Sequence, residues 1–348
     1  MVGYKIKLSR LKLTLLTLLT ILLLAIHSIT GCKEDEQPPE VNVQGGEILI
    51  ANEGNFGWGE GTLSLYNPDS KAVQNDVYST KNNEPMGNVL HSIASFNSLY
   101  FFVVNNSGKV VVTDTNFVKQ KEITGLTSPR NIYKVSNTKA YITDLYADAI
   151  TIFDLNTLEA IGSISCNGHS EEGVIKDGVF WFTAPETDRL YGIDITTDKI
   201  TDSVVHIGWK PESIVLDNNE SMWILTRGDA SQNRSANLSV VSLNGYTVNP
   251  IEGVPTSLAY DSNSNFLYYV NNGVWKLDLN DPRDKGSLWL DAGTRIFYSL
   301  KVDPENGDVY VSDVKDFVSK STIYRYSSDG ALLDEFSAGI IAGDFFFP

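Results

Sequence analysis

The residues able to do acid–base, nucleophilic or metal chemistry are few and scattered. Downstream of His27 the histidines are His91, His169 and His206, well apart and without the close spacing of a His-Glu-x-x-His metal helix. Gly168-His-Ser-Glu-Glu-Gly173 approaches a Gly-x-Ser-x-Gly nucleophile elbow but holds one residue too many, in a stretch that predicts a turn between strands. Asp261-Ser-Asn-Ser-Asn265 has the alternating oxygens of a calcium loop, yet Phe266 stands where that loop needs glycine and Asn272 where it needs glutamate. A turn joining two strands explains it fully. Asp278-Leu-Asn-Asp-Pro282 reads as another such turn, and no Gly-rich phosphate loop follows a strand. The expectation is a protein with no catalytic residues, no metal site and no cofactor: one that binds and does not turn over.

The elements that carry these residues repeat. Ile150-Thr-Ile-Phe-Asp-Leu-Asn-Thr157 is a short β-branched and aromatic run closed by polar turn residues, the pattern of a strand entering a tight turn. The closing residue recurs as Asn67, Asp114, Asp154, Asp194, Ser242, Asp278 and Ser327, at spacings of 36 to 49 residues. A four-stranded propeller blade needs ~40–50 residues, and a helical repeat of that length would show a 3.6-residue period instead. The fold class is therefore all-β: a seven-bladed β-propeller of four-stranded blades spanning 47–348, with no helix predicted within it. Blade three supplies the template, with strands at Asn131–Val135, Ala140–Asp144, Ile150–Asp154 and Ala160–Ile164. Blade one has only three amino-terminal strands, Ile48–Ala51, Leu63–Tyr66 and Val73–Tyr78. Its inner strand is expected from the apolar run Ile340-Ile-Ala-Gly-Asp-Phe-Phe-Phe347, which would otherwise be an exposed aggregation hazard. The carboxy-terminal strand then closes the ring in blade one.

Residues 1–31 predict an export signal: a basic start, then the apolar run Leu13–Ile26, short for a membrane-spanning helix. Ile29-Thr-Gly-Cys32 resembles the bacterial lipobox, which makes Cys32 the lipidated residue and anchors a domain to a bilayer without crossing it. Residues 32–46 read as a tether, opening on the acidic run Lys33-Glu-Asp-Glu36 and continuing through a segment containing Pro and Gly. An acidic cluster beside the lipidated cysteine resembles the signal for the outer face of the outer membrane, so the expected location is the cell exterior. Cys166 then has no partner, and packing must hold the ring without a disulfide. The formal net charge is −16, and losing Lys5, Lys7, Arg10 and Lys12 with the signal takes it to −20. That charge disfavours nucleic acid, whose phosphates need concentrated Lys and Arg.

In a propeller the blade-to-blade connections and the second-to-third strand loops share one face around the central channel. Here those connections carry the extra length, in Asn52–Gly61, Ser79–Gly87, Arg227–Ser235 and Asp313–Lys320. They bring Phe56, Trp58, Tyr146, Trp209, Tyr298 and Phe317 to one side, together with Arg130, Arg189, Arg227 and Arg295. Aromatics and arginines on long loops over an acidic body point to a recognition surface, with packing at the blade top as the alternative role for each residue.

Asp303-Pro-Glu-Asn-Gly-Asp-Val-Tyr-Val-Ser-Asp313 resembles the YVTN/YncE-type repeat of bacterial seven-bladed propellers. Ala51-Asn-Glu-Gly-Asn-Phe56, Val103-Val-Asn-Asn-Ser-Gly-Lys109, Gly125-Leu-Thr-Ser-Pro-Arg130 and Ala140-Tyr-Ile-Thr-Asp-Leu-Tyr146, with the lipobox and acidic tether, narrow the similarity to the BtuG-type cobalamin-binding surface lipoproteins. The resemblance spans the chain and implies capture of cobalamin or a related corrinoid, as ligand and not as cofactor, and its transfer to a TonB-dependent outer-membrane transporter. The amides of such a ligand would meet Asn52, Asn55, Asn105, Asn106, Asn271 and Asn272. Its apolar edges would meet Phe56, Trp58, Tyr146 and Trp209, and its phosphodiester Arg130 or Arg295. Two other classes stay open: a surface adhesin or scaffold binding protein or glycan, and a lactonase-type propeller enzyme with calcium held by Glu53, Asn105, Asn271 and Asp313 at the channel mouth.

Overall fold

The computed structural model describes residues 46–281 and 283–348. Seven four-stranded antiparallel sheets follow one another, each running from an inner to an outer strand. Six are built from consecutive strands, as in blade two with Leu90–Phe96, Leu99–Val104, Lys109–Asp114 and Lys119–Ile123. Blade one combines the two ends of the described chain. Its inner strand is Ala342–Phe346, paired antiparallel with Ile48–Asn52, and Leu49 faces Phe346.

The turns repeat as the closing residues predict. Asp154 Oδ1 accepts from the Asn156 and Thr157 amides at 2.8 Å, and Asp194 Oδ1 from Thr196 and Thr197 at 2.9 and 2.8 Å. Asp261 does the same for Asn263 and Ser264, so the calcium-like run is a turn whose carboxylate serves its own backbone.

The core lies between blades. Seven buried apolar clusters each join two neighbouring sheets, and the last, holding Tyr310, Ile323, Ile50, Tyr66 and Phe345, joins blade seven to blade one. Because both faces of a blade are covered, successive residues feed opposite clusters: Phe101 packs toward blade three and Phe102 toward blade one. Hence the second strands read as unbroken apolar runs such as Leu99-Tyr-Phe-Phe-Val-Val104, without the alternation of a one-sided sheet.

One expectation is corrected. The outer strand of blade one is only Val73–Gln74, and Val77–Asn82 forms a short helix where a strand was expected. Asp76 at φ 57° ends the extended run, and Val77 and Tyr78 are buried against blade two. The helix also ties the blades together: Asn82 Nδ2 donates to the Phe117 carbonyl and its Oδ1 accepts from the Lys119 amide, both at 2.8 Å. The apolar run, Cys32 and the tether as far as residue 45 lie outside the described residues. Among those described, no helix is long and apolar enough to cross a membrane.

Candidate functional site

Every inner strand breaks register at the same level. Pairing with the second strand slips between Leu90 and Ser92, Pro129 and Ile132, Pro211 and Ser213, and Phe297 and Leu300. In blade one Ala51 faces Asp344 while Asn52 faces Ala342, which leaves Gly343 unopposed. In blade four Thr183 alone faces both Glu171 and Glu172, and in blade six Val270 faces Thr256 and Ser257. A β-bulge sets two residues against one, strands an amide and re-aims a side chain. Hydroxyls on the second strands take up the stranded amides: Asn131 donates to Thr143 Oγ1 at 3.1 Å, Glu172 to Thr183 Oγ1 at 3.1 Å, and Ser299 to Ser312 Oγ at 3.0 Å. This accounts for fully buried hydroxyls in otherwise apolar strands.

The re-aimed side chains enclose a cavity of about 300 Å³ at the mouth of the central channel. Its walls include His91, Arg130, Glu171, Glu172, Glu212 and Tyr298 from the bulges, with Glu53, Arg227, Lys301 and Asp344 beside them. Gly343 makes room for one of these: a Cβ there would lie 2.6 Å from Glu53 Oε1, so only the bare backbone lets Glu53 reach inward.

Each of the three cations in the cavity wall has a carboxylate. Arg130 Nε donates to Glu171 Oε1 at 2.6 Å, Arg227 Nη1 to Glu212 Oε1 at 3.2 Å, and Lys301 Nζ lies 3.4 Å from Asp344 Oδ1. Burial works against the Arg130 charge, yet Glu171 outweighs it and the guanidinium pKa is raised. Asp344 is the main cause of the raised Lys301 pKa, with burial opposing. Two carboxylates remain. Glu53 accepts from the Tyr298 hydroxyl at 3.2 Å and lies 3.8 Å from His91 Nδ1. Glu172 Oε2 accepts from the Ile214 amide at 3.1 Å and Oε1 from Ser213 Oγ at 3.5 Å, and among the described residues it has no ion-pair partner. Burial within the ring pushes Glu172 up to about 7, reinforced by Glu171 and Asp344 and countered by Lys301 and the Ile214 amide.

A family model described as "Domain of unknown function (DUF5074)" matches residues 46–348, the whole of the propeller. The chain belongs to the DUF5074 family. A search of the curated proteins finds no match. Among solved structures, a quinonprotein alcohol dehydrogenase-like protein from Bacteroides thetaiotaomicron is similar at TM-score 0.67 and 15% identity, covering 87% of this chain and 78% of its own. A putative 6-phosphogluconolactonase from Bacteroides fragilis gives TM-score 0.60 and 10% identity over 89% and 99% of the two chains. Virginiamycin B lyase from Staphylococcus aureus gives 0.58 and 12% over 71% and 83%. At such identities the likeness is one of fold.

The DUF5074 propeller divides the residues expected to bind ligand. Three amides are internal. Asn52 is buried, donating to Ser64 Oγ at 2.9 Å and accepting from the Gly339 amide at 2.9 Å. Asn105 donates to Ser128 Oγ at 2.8 Å and Asn271 to the Glu252 carbonyl at 2.6 Å, which fastens loop to blade. Asn55 is half-buried, Asn106 is exposed and donates to Asn88 Oδ1 at 2.6 Å, and Asn272 is exposed at φ 50°. Arg130 lies in the cavity wall, whereas Arg295 stands outside it, donating to the Ala292 carbonyl at 2.9 Å over the Phe297 ring. Trp209 is half-buried beneath the Arg234 guanidinium, 3.9 Å from the ring centroid. Phe56, Trp58 and Tyr146 are exposed by 70%, 95% and 67% on the loops around the mouth.

The four residues weighed for calcium are not gathered. Only Glu53 lines the cavity, while Asp313 Oδ1 accepts from the Ile296 and Lys315 amides at 2.9 and 3.0 Å. Among the described residues, no group of three or more His, Cys, Asp or Glu is placed to hold a metal ion.

Glu171, Glu172, Glu212, Lys301 and Asp344 went unread in the sequence. A signal for the ring exists in the repeated inner-strand starts Pro129-Arg-Asn-Ile132, Pro211-Glu-Ser-Ile214 and Pro255-Thr-Ser-Leu258. Aligned across all seven blades, the two residues after that position are the bulge.

Proposed function

We propose that this DUF5074 chain is a non-enzymatic, lipid-anchored protein of the outer-membrane exterior that captures a small-molecule nutrient on the loop-rich face around the channel mouth. The ligand is a cobalamin-like corrinoid, passed to a TonB-dependent transporter; the sequence resemblance supplies that identity. One observation carries the reading. Phe56, Trp58 and Tyr146 are exposed on the loops flanking the cavity, Tyr146 edge-on to His169, and a tryptophan 95% exposed leaves its indole in water until a ligand covers it. Pockets for drug-sized ligands run to ~300–1,000 Å³, so a corrinoid overfills the roughly 300 Å³ cavity and would lie across its rim, against the aromatics.

Titrating the purified protein with cyanocobalamin, followed by calorimetry and by the absorbance of the corrin ring, tests this. Saturable heat with a spectral change is expected, and Trp58→Ala should weaken binding by ~1–3 kcal/mol as loss of an aromatic anchor does. Absence of heat and of spectral change at tens of micromolar would remove the corrinoid assignment.

A further inference from the structure

The charges at the channel mouth do not balance. Arg130, Arg227 and Lys301 are each matched by a carboxylate, and Glu53 and Glu172 are left over. His91, 3.8 Å from Glu53, can offset one of them when protonated, and Glu172 remains. A second observation is independent of this count. Glu171 is 7% exposed, and only its Oε1 meets Arg130; its Oε2 is buried in the cavity wall without a hydrogen-bond partner among the described residues. A carboxylate oxygen stranded in this way costs free energy unless a donor arrives. We propose that the channel-mouth cavity is a binding site for a small organic cation, its ammonium or guanidinium group held by Glu171 Oε2, Glu172 and Glu53.

The chemistry selects that class of ligand. An anion would meet the unmatched carboxylates, and a neutral polar molecule would leave their charge uncompensated in a partly desolvated ring. A metal ion needs several ligands converging on one point, and among the described residues no such group exists. An ammonium carries three donors and a guanidinium five, which suits oxygens spread around a wall. The volume of about 300 Å³ admits an alkyl amine or alkyl guanidine and not a folded peptide. This site lies below the rim where the corrinoid is placed and does not depend on that reading.

The test is calorimetry of the full-length protein at pH 8 and fixed ionic strength, with putrescine as probe and butane-1,4-diol as its uncharged counterpart. Putrescine should bind saturably at one site and the diol should not. Glu172→Gln and Glu53→Gln should each weaken putrescine about tenfold or more, as loss of one partner of a desolvated charge pair does. Lys301→Gln should act in the opposite sense and tighten it, because the net negative charge rises. Should a variant fail to fold, the wild type still decides: putrescine should raise its melting temperature in proportion to occupancy and the diol should leave it unchanged. Equal binding of the diol, full competition by Mg²⁺, or no heat from putrescine at about 10 mM, an affinity of only ~2.7 kcal/mol, overturns the proposal. Cyanocobalamin titrated into the same proteins reads the rim separately, so failure at one site leaves the other standing.

Discussion

The two ends of the central channel are lined by the same inner strands and differ in nearly every respect. At the level of the bulges the wall holds Arg130, Glu171, Glu172, Glu212 and Asp344, with Glu171, Glu212 and Asp344 each in an ion pair. Below it Ile93, Ile132, Ile175 and Phe346 surround a second, largely apolar cavity with Tyr133 and Lys134. Within one strand, Arg130 and Asn131 belong to the first end and Ile132 to the second. The bulge between Pro129 and Ile132 is the boundary. Below the bulge the strands follow the ordinary alternation and contribute to the inter-blade core. At the bulge they present adjacent residues, such as Arg130 and Asn131, to the channel. Apolar packing and the charged wall are thus allotted to different stretches of the same seven strands, and substitutions on either side of the boundary should behave differently.

The largest effect should come from removing both ends at once. Deleting Asp344–Pro348 takes away Asp344 from the mouth and Phe345 and Phe346 from the blade interfaces. Aromatic burial of ~150–250 Å² per ring for two rings, at ~25 cal/mol per Å², amounts to on the order of 10 kcal/mol, comparable with the stability of a whole domain. Thermal unfolding should show a collapse of the melting temperature, and an unchanged one would mean that the tail does not close the ring. Next, Arg130→Ala leaves Glu171 as an uncompensated buried carboxylate and should cost ~3–5 kcal/mol in chemical denaturation. Arg130→Ala, Glu171→Gln together should recover much of that loss, whereas no partner substitution rescues Ile132→Ala below the bulge.

A smaller effect depends on pH. Glu172 has its folded pKa raised from 4.5 to about 7, so the folded state keeps a proton that the unfolded chain gives up. Stability from this group is full below about pH 4.5 and falls away as pH rises toward 7. Glu172→Gln should therefore raise the melting temperature at pH 8 and leave it nearly unchanged at pH 4. The shift converts to no more than ~3 kcal/mol, and Glu172 faces a solvent-accessible channel, so about 1–2 kcal/mol is expected. The smallest effect on stability belongs to Trp58→Ala: with its ring in solvent, unfolding should change by less than ~0.5 kcal/mol even if ligand binding is lost.

The sequence revealed blades far better than it revealed the site, and particular residues show why. The third strands announce themselves because Asp114, Asp154 and Asp194 each cap the following turn, a local task that leaves a local signature. The closing strand was legible because Phe345, Phe346 and Phe347 had to be buried somewhere. Asn52, Asn105 and Asn271 show the opposite case: an asparagine at a strand end looks available to a ligand, and here the backbone of its own or a neighbouring blade accepts from the amide, which no local sequence signal announces. The site itself is assembled chiefly from the bulge residues of the seven repeats, with Glu53, Arg227 and Lys301 added from beside them. No single stretch of chain contains it, and register slips that create it depend on pairing with a second strand.

The pairing of Leu49 with Phe346 also has a consequence for how the molecule is made. Ile48–Asn52 can pair with Thr62–Tyr66 at once but must wait for its other neighbour, Ala342–Phe346, until all the intervening blades have been synthesised. Blades two to seven can stack in order on their nearest neighbours, but the final interface is a contact between opposite ends of the chain, the slowest kind to form. Until then the apolar faces of blades one and seven are open to other chains. Loss of Ala342–Phe346 alone would therefore act as a lesion of the entire ring, and dependence on chaperones should be concentrated in the interval before closure.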